Sequence, residues 1–332
     1  MINSLLKIIF YISFITLSVN SYAKDYSGEL KKYESQLLGI ERELYEKYKV
    51  DKDFSRKALN SIKFKNQILR IMANAPERKD TWSQYEKKYL TDKRVKNGIS
   101  YYQKNINLLK KVESVYGVPP EILVAFLGVE TNYGTNTGKI KVIDSLGTLA
   151  LKHPKRHKFF RAQLINLIAL SYNSGLDYKN LKGSYAGAMG LPQFMPDNYR
   201  KLAVDFDKNG SIDLWHSKMD IYASISNFLN NKGWQKGGSI YVDKKIKKEY
   251  IKEIFKKGDV KTIAISNKKL EKYLKDSEIK SGQKYLILLS KKQKIYKIGY
   301  SNFKVIMRYN PSTFYAMVVA KLSERIKEGK WK

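Results

Sequence analysis

Pro119-Pro120-Glu121-Ile122-Leu123-Val124-Ala125-Phe126-Leu127-Gly128-Val129-Glu130-Thr131-Asn132-Tyr133-Gly134 is the stretch that decides the fold. Proline is tolerated in the first helical turn, so Pro119-Pro120-Glu121 opens a helix. From Ile122 to Val129 the residues are apolar on every side, with the small Ala125 and Gly128 among them. A helix that is apolar all round is a buried helix. This one ends in Glu130. An ionised carboxylate is costly there, so burial is expected to raise its pKa. A carboxyl group that keeps its proton near neutral pH is what protonation of a glycosidic oxygen requires. Taken alone, the segment leaves an ordinary exposed glutamate at a helix end as the other reading.

Outward from this helix the chain changes character several times. Residues 24–110 carry Leu30, Tyr33, Leu37, Ile40, Leu44 and Tyr48 at helical spacing, which predicts a helical N-terminal domain. Residues 111–236 form the core around the buried helix. Residues 237–300 hold short runs such as Tyr285-Leu286-Ile287-Leu288-Leu289 between Lys, Gly and Asp clusters, which predicts a small α+β insert with two or more strands. Residues 301–332 return to helical character and are expected to complete the core. The predicted fold class is mainly α (α+β).

Composition narrows the partners. Hydrophobic residues make up 43% of the 332, enough for real cores, and the length suggests about two to three domains. Lys and Arg number 63 against 31 Asp and Glu, a formal net charge of +32. Such a field attracts polyanions over a Debye length of about 8–10 Å. Nucleic acid, anionic lipid headgroups and an anionic cell wall all fit, and so does an AT-rich genome that spells many residues as lysine. Residues 1–23 read as a signal peptide: Lys7, an apolar run from Ile8 through Val19, then Ser21-Tyr22-Ala23 as a cleavage site. The run is short for a membrane span, which needs about 20 apolar residues. Cysteine is absent, which excludes disulfides, thiol nucleophiles, Cys-ligated zinc and a lipoprotein anchor.

A second block follows downstream: Gly183-Ser184-Tyr185-Ala186-Gly187-Ala188-Met189-Gly190-Leu191-Pro192-Gln193-Phe194-Met195-Pro196. Small residues let its backbone approach a ligand closely. Gln193 offers an amide donor and acceptor for sugar hydroxyls and N-acetyl groups. A third segment is Arg308-Tyr309-Asn310-Pro311-Ser312, with Tyr315 after it.

With Trp82-Ser83-Gln84-Tyr85, Tyr116-Gly117-Val118-Pro119-Pro120-Glu121 and Gly128-Val129-Glu130-Thr131, these segments resemble the membrane-bound lytic murein transglycosylase B family (glycoside hydrolase family 103 type). Its core domain is similar to goose-type lysozyme. Order and spacing agree over about residues 80–320. The resemblance implies cleavage of the MurNAc-β-1,4-GlcNAc bond of peptidoglycan to 1,6-anhydro-MurNAc ends, with Glu130 as the single acid and base. It implies that Ser184 positions the N-acetyl region of the muramic acid. It further implies that Gln193 contacts the sugar, with Phe194 beside it among the substrate-binding residues, and that Tyr309 and Asn310 support the cleft. Tyr85 and Tyr315 match cleft aromatics, and Lys155 and Arg156 match basic residues that face peptide or lactyl carboxylates. Leu191-Pro192 stands where some members carry Tyr-Gly, which puts one aromatic sugar contact in question. Most glycosidases use two carboxyl groups. No second one lies in a specific motif here, and Asp144 is the nearest candidate.

Asp205-Phe206-Asp207-Lys208-Asn209-Gly210-Ser211-Ile212-Asp213 has the spacing of an EF-hand calcium loop, with glycine at its sixth position. His216 stands where the closing glutamate belongs, and Asp220 is the residue that closes a longer loop. The expected ligands are therefore Asp205, Asp207, Asn209, Ser211, Asp213 and Asp220. An Asp/Asn-rich turn that caps a helix is the alternative. No cofactor is expected for catalysis, and calcium is expected only as a structural ion. His153, His157 and His216 form no ligand motif.

The expected partners are peptidoglycan glycan strands and cell-wall synthases, for a monomer in the periplasm. Membrane contact is expected only if the signal segment is retained. A nucleic-acid-binding protein is disfavoured, because the chain carries an export signal and no nucleic-acid motif. A silent murein-binding scaffold is disfavoured by the intact Glu130, Ser184 and Gln193. A lysozyme-type hydrolase differs only in letting water reach C1.

Overall fold

A computed structural model describes residues 26–73, 80–256, 260–274 and 282–329. Residues 1–23, which the sequence reads as a signal peptide, lie outside the described residues. After a short 3-10 turn (Gly28–Tyr33) come α1 (Glu34–Tyr48), α2 (Lys52–Asn60), α3 (Asn66–Ala73), α4 (Trp82–Tyr89) and α5 (Asp92–Tyr116). Then follow α6 (Pro120–Thr131), β1 (Ile140–Lys141), α7 (Val142–Lys152), α8 (His157–Ser174), β2 (Lys182–Gly183), α9 (Pro196–Leu202) and α10 (Lys218–Asn231). The chain continues with β3 (Tyr241–Val242), α11 (Lys248–Phe255), β4 (Lys261–Ile265), α12 (Asn267–Tyr273), β5 (Lys284–Ser290) and β6 (Ile295–Gly299). It closes with α13 (Ser301–Tyr309) and α14 (Thr313–Glu328). The architecture is mainly α, as the sequence predicts, with its largest sheet in the segment of short apolar runs.

The decisive helix α6 behaves as its composition requires. Every residue from Pro120 to Gly128 is buried, with Leu123 through Leu127 fully enclosed. It packs on α14 and α5. Each buried Leu or Phe contributes roughly 1.5–3 kcal/mol relative to exposure, so the helix is held by packing on all sides. Its C-terminus is set by Asn132 and Tyr133, both in left-handed conformation at φ 49° and 61°. The Tyr133 ring lies between α5 and α6, where Gly98 and Gly128 leave space for it. A β-carbon at those two positions meets the Tyr133 hydroxyl at 2.4 and 2.7 Å. Tyr133 also stacks on Tyr101 and donates to Arg94 O at 2.8 Å. The end of α6, and Glu130 with it, is thereby fixed against α5.

On α1, Leu37, Ile40 and Leu44 are fully buried at the predicted spacing. The sheet in 237–300 has the order β3-β6-β5-β4, all antiparallel. Strand alternation divides β5 between two cores. Ile287 and Leu289 join the main core, while Leu286 and Leu288 face a second cluster with Ile254, Phe255 and Leu270 of α11 and α12. Among the described residues, no single helix is long and apolar enough to cross a membrane.

Candidate active site

Glu130 sits on the last turn of α6, half-buried, at the base of a cleft of about 540 Å³. The cleft brings together segments far apart in the chain. Tyr85 and Tyr89 come from α4, Ser184 and Gln193 from the glycine-rich block, and Tyr309, Asn310 and Tyr315 from the C-terminal segment. Among the described residues that line it, Glu130 is the only carboxylate and Lys139 the only cation.

Each group is held from behind. The Tyr315 hydroxyl donates to Glu130 Oε1 at 2.5 Å, and the Tyr309 hydroxyl donates to Pro192 O. Burial first, and then the negative charge of Glu130, push both tyrosine hydroxyls well above the ordinary tyrosine pKa. They therefore remain hydrogen-bond donors throughout the pH range in which a folded enzyme works. The Tyr309 ring is enclosed by Phe126, Phe228 and Phe194, with centroids 4.7, 4.7 and 5.8 Å away. Thr131 Oγ1 donates to Leu191 O at 3.3 Å and accepts from Gly134 N at 3.0 Å, which ties the end of α6 to the glycine-rich block.

That block is a compact turn. Ser184 N donates to Ala188 O at 2.9 Å, and Ser184 Oγ accepts from Ala188 N at 3.0 Å. The serine hydroxyl thus keeps its own proton to donate into the cleft. Gln193 adopts φ 51°, and its amide nitrogen donates to Gly190 O and Thr137 O at 2.9 and 3.2 Å. A left-handed glutamine is uncommon, and such conformations gather at ligand sites.

The remaining sequence-predicted residues lie elsewhere. Phe194 is 1% exposed and packs beneath the cleft, so it supports Tyr309 instead of facing a ligand. Lys155 and Arg156 are exposed on the turn between α7 and α8 and do not line the cleft. Arg156 lies over Phe159 and Phe160, and both backbone N–H groups donate to His153 Nδ1. Asp144 is buried on α7, where it accepts from Lys63 N at 2.8 Å, and it is also absent from the cleft wall. Residues that the sequence does not announce are Ile71, Tyr89, Asn136, Lys139 and Ile140. The only hint of the last three is the glycine pair Gly134 and Gly138, between which Asn136 lies and directly after which Lys139 and Ile140 follow.

In the acidic loop, carboxylate oxygens of Asp205, Asp207 and Asp220 lie within 4.8 Å of one another. Asp220 is fully buried and accepts from Phe206 N and Asp213 N at 2.8 and 2.9 Å. Asp213 instead turns its carboxylate to Trp215 N, His216 N and the His216 ring. Asn209 Oδ1 is engaged by Ser211 N and Ser211 Oγ. Three of the six expected ligands therefore converge. An all-oxygen set of carboxylates suits a hard cation such as Ca²⁺.

Removing the donor to Glu130 has a definite expected outcome. In Tyr315→Phe the ring packing stays and the hydrogen bond is lost, so kcat is expected to fall about 10–100-fold with KM nearly unchanged. Steady-state rates with soluble glycan strands check this. An unchanged kcat contradicts a positioning role.

Comparison with known proteins places this geometry. Residues 32–324 match the model of the transglycosylase SLT domain. The chain is similar to the membrane-bound lytic murein transglycosylase B of Escherichia coli, with 34% identity over 291 residues, 84% of this chain and 79% of the relative. Its structure is similar to the E. coli lytic transglycosylase SLT35 in complex with calcium, with TM-score 0.81 and 30% identity over 93% of this chain and 98% of the other. It is also similar to the soluble lytic transglycosylase SltB1 of Pseudomonas aeruginosa, with TM-score 0.78 and 30% identity over 89% and 99%.

Proposed function

This chain belongs to the transglycosylase SLT domain family, and from that premise we propose that Glu130 alone performs the acid and base steps of a hydrolysis-free cleavage of murein. The enzyme is a lytic transglycosylase that acts on peptidoglycan. The observation that carries the mechanism is the solitary carboxyl group: among the described residues, no second Asp or Glu lines the cleft.

The steps balance without water. The Glu130 carboxyl gives its proton to the oxygen between MurNAc C1 and GlcNAc, and the C1–O bond breaks. The positive charge at C1 is met by the neighbouring N-acetyl oxygen, which closes an oxazolinium, or is carried as an oxocarbenium ion. Ser184 and Gln193 are assigned to hold that N-acetyl group and the sugar hydroxyls. Glu130, now a carboxylate, takes the proton of the muramoyl 6-hydroxyl as O6 bonds to C1. The product is a 1,6-anhydro end, and Glu130 is again protonated. Tyr315 anchors one carboxyl oxygen throughout. Asn310, Tyr85 and Tyr309 are assigned to shape the sugar subsites.

Residues 111–236 with 301–332 are assigned as the catalytic unit, flanked by 24–110 and the 237–300 insert. The reading places the enzyme in the periplasm, after export, at the glycan strands. The test is digestion of purified murein sacculi by wild type and Glu130→Gln, with products weighed by mass spectrometry. Anhydro-muropeptides from wild type alone support the reading. Sacculi bound by wild type but never cleaved overturn it.

Asp205, Asp207 and Asp220 are assigned to a structural calcium ion, in line with the calcium complex of the SLT35 relative. Three carboxylates so close repel one another, and a divalent cation relieves that cost. Saturating Ca²⁺ is expected to stabilise the fold by about 2.7–4.1 kcal/mol at 100–1,000 times its Kd. Asp205→Ala is expected to abolish that gain. Thermal melts with calcium or with chelator read it, and identical melting points exclude the site.

A further inference from the structure

Lys139 stands opposite the catalytic carboxyl group in kind: it is the single cation among the described residues lining the cleft. It is exposed, and no ion pair involves it among the described residues. Its position is fixed by its neighbours. Gly138, at φ 93°, approaches the next strand so closely that a β-carbon there lies 2.0 Å from Gly183 O and 2.5 Å from Ser184 N. The loop is therefore pinned to the segment that presents Ser184. Immediately beyond, β1 pairs with β2 through Ile140↔Gly183 and Lys141↔Lys182.

That second pair places two lysines directly across a two-residue ladder, both exposed. Like charges directly opposite are destabilising. Neither has a carboxylate partner among the described residues. The ladder is braced by Val142 N donating to Leu181 O at 3.0 Å, and among the described residues no carboxylate compensates the like charges. Local violations of this kind are expected where a ligand supplies what the protein lacks. Lys139 lines the cleft with Ile140 and Gly183, whereas the Lys141–Lys182 pair alternates to the other face of the ladder, so an anion at the rim meets Lys139 directly and feels the two lysines behind it only through their field.

We propose that Lys139, with Lys141 and Lys182 behind it, is a carboxylate-recognising lip that makes the enzyme select acidic glycan strands. The proposal rests on the murein reading of the cleft. It moves carboxylate recognition away from Lys155 and Arg156, which lie outside the cleft. Two sources supply the group: the carboxylates of the stem peptide, or the lactyl carboxylate exposed once the stem is removed.

The test is a cycle between enzyme and substrate charge. Wild type and the triple variant K139Q/K141Q/K182Q are compared on intact sacculi and on strands stripped by an amidase. Each substrate is used as prepared and after its carboxylates are converted to methylamides with carbodiimide and methylamine. The variant is expected to lose about tenfold in kcat/KM, mostly through KM, on at least one unmodified substrate. Amide conversion is expected to cost wild type a similar factor, and the two losses together no more than either alone. Loss confined to intact sacculi assigns the stem carboxylates, and loss confined to stripped strands assigns the lactyl group. Replacement of the same residues by Arg is expected to retain the preference, and the Gln variant to melt no lower than wild type. No loss in the Gln variant, or losses that multiply, overturns the lip while leaving the transglycosylase reading intact. Failure of wild type to form anhydro ends on any substrate removes both.

Discussion

Glu130→Gln is expected to lower murein cleavage by on the order of 10⁴-fold, with sacculus binding retained. General acid–base groups contribute about 10²–10⁴-fold, and in the proposed mechanism one group serves both steps, so the upper end applies. Glutamine keeps the shape and still accepts from Tyr315, but it neither gives nor takes the proton. Each half of the reaction therefore fails. The alternative for a cleft with two carboxyl groups is partial rescue by the second. Among the described residues the cleft wall offers none, and Asp144 is occupied by Lys63 N. Product release measured over long incubations, with the thermal midpoint as a control for folding, checks the figure. A loss of less than tenfold shows that another group carries the acid step.

Gly138→Val is expected to be the most damaging change outside Glu130. A side chain at φ 93° is strained wherever it stands, and here its first atom collides with the backbone of Gly183 and Ser184. The neighbour is backbone held by Ser184 N to Ala188 O, so it has no free rotamer to yield. Either β1 leaves β2 or the Ser184 turn shifts. The cost is about 3 kcal/mol or more, and at about 2.1 cal/mol/K of unfolding entropy per residue a drop of about 4 °C or more in Tm follows for 332 residues. Activity is expected to fall further than the melting point implies, because the displaced turn carries Ser184 and neighbours Gln193. Substitution at Gly175, which has nothing within 4 Å of its β-carbon, is the matched control: it keeps positive-φ strain without the collision. Equal effects at the two positions contradict the close-approach argument.

These positions also show what was legible in the sequence. The buried helix was readable because eight apolar residues in a row leave no face for water, and Glu130 stood out because it ends that run. The glycine-rich block was readable as a whole, since few folds need so many small residues before Gln193. The helical spacing of Leu37, Ile40 and Leu44 carried the N-terminal segment. Lys139 was not legible: it is one of 63 basic residues, and only the pairing of β1 with β2 brings it to the cleft. Phe194 follows Gln193, which lines the cleft, yet it turns inward onto Phe228 and Tyr309. In the acidic loop, spacing marked six oxygen-bearing residues. It did not show that Asp213 and Asn209 spend their oxygens on nearby N–H and O–H groups.

The central claim is that the muramoyl 6-hydroxyl, and not water, attacks C1 under the control of Glu130. The most direct test is digestion of sacculi by wild type in ¹⁸O-labelled water, with the first products analysed by mass spectrometry. The account predicts ends that are one water lighter than a reducing sugar and carry no ¹⁸O. Reducing ends labelled with ¹⁸O at C1 contradict it and make the enzyme a lysozyme-type hydrolase.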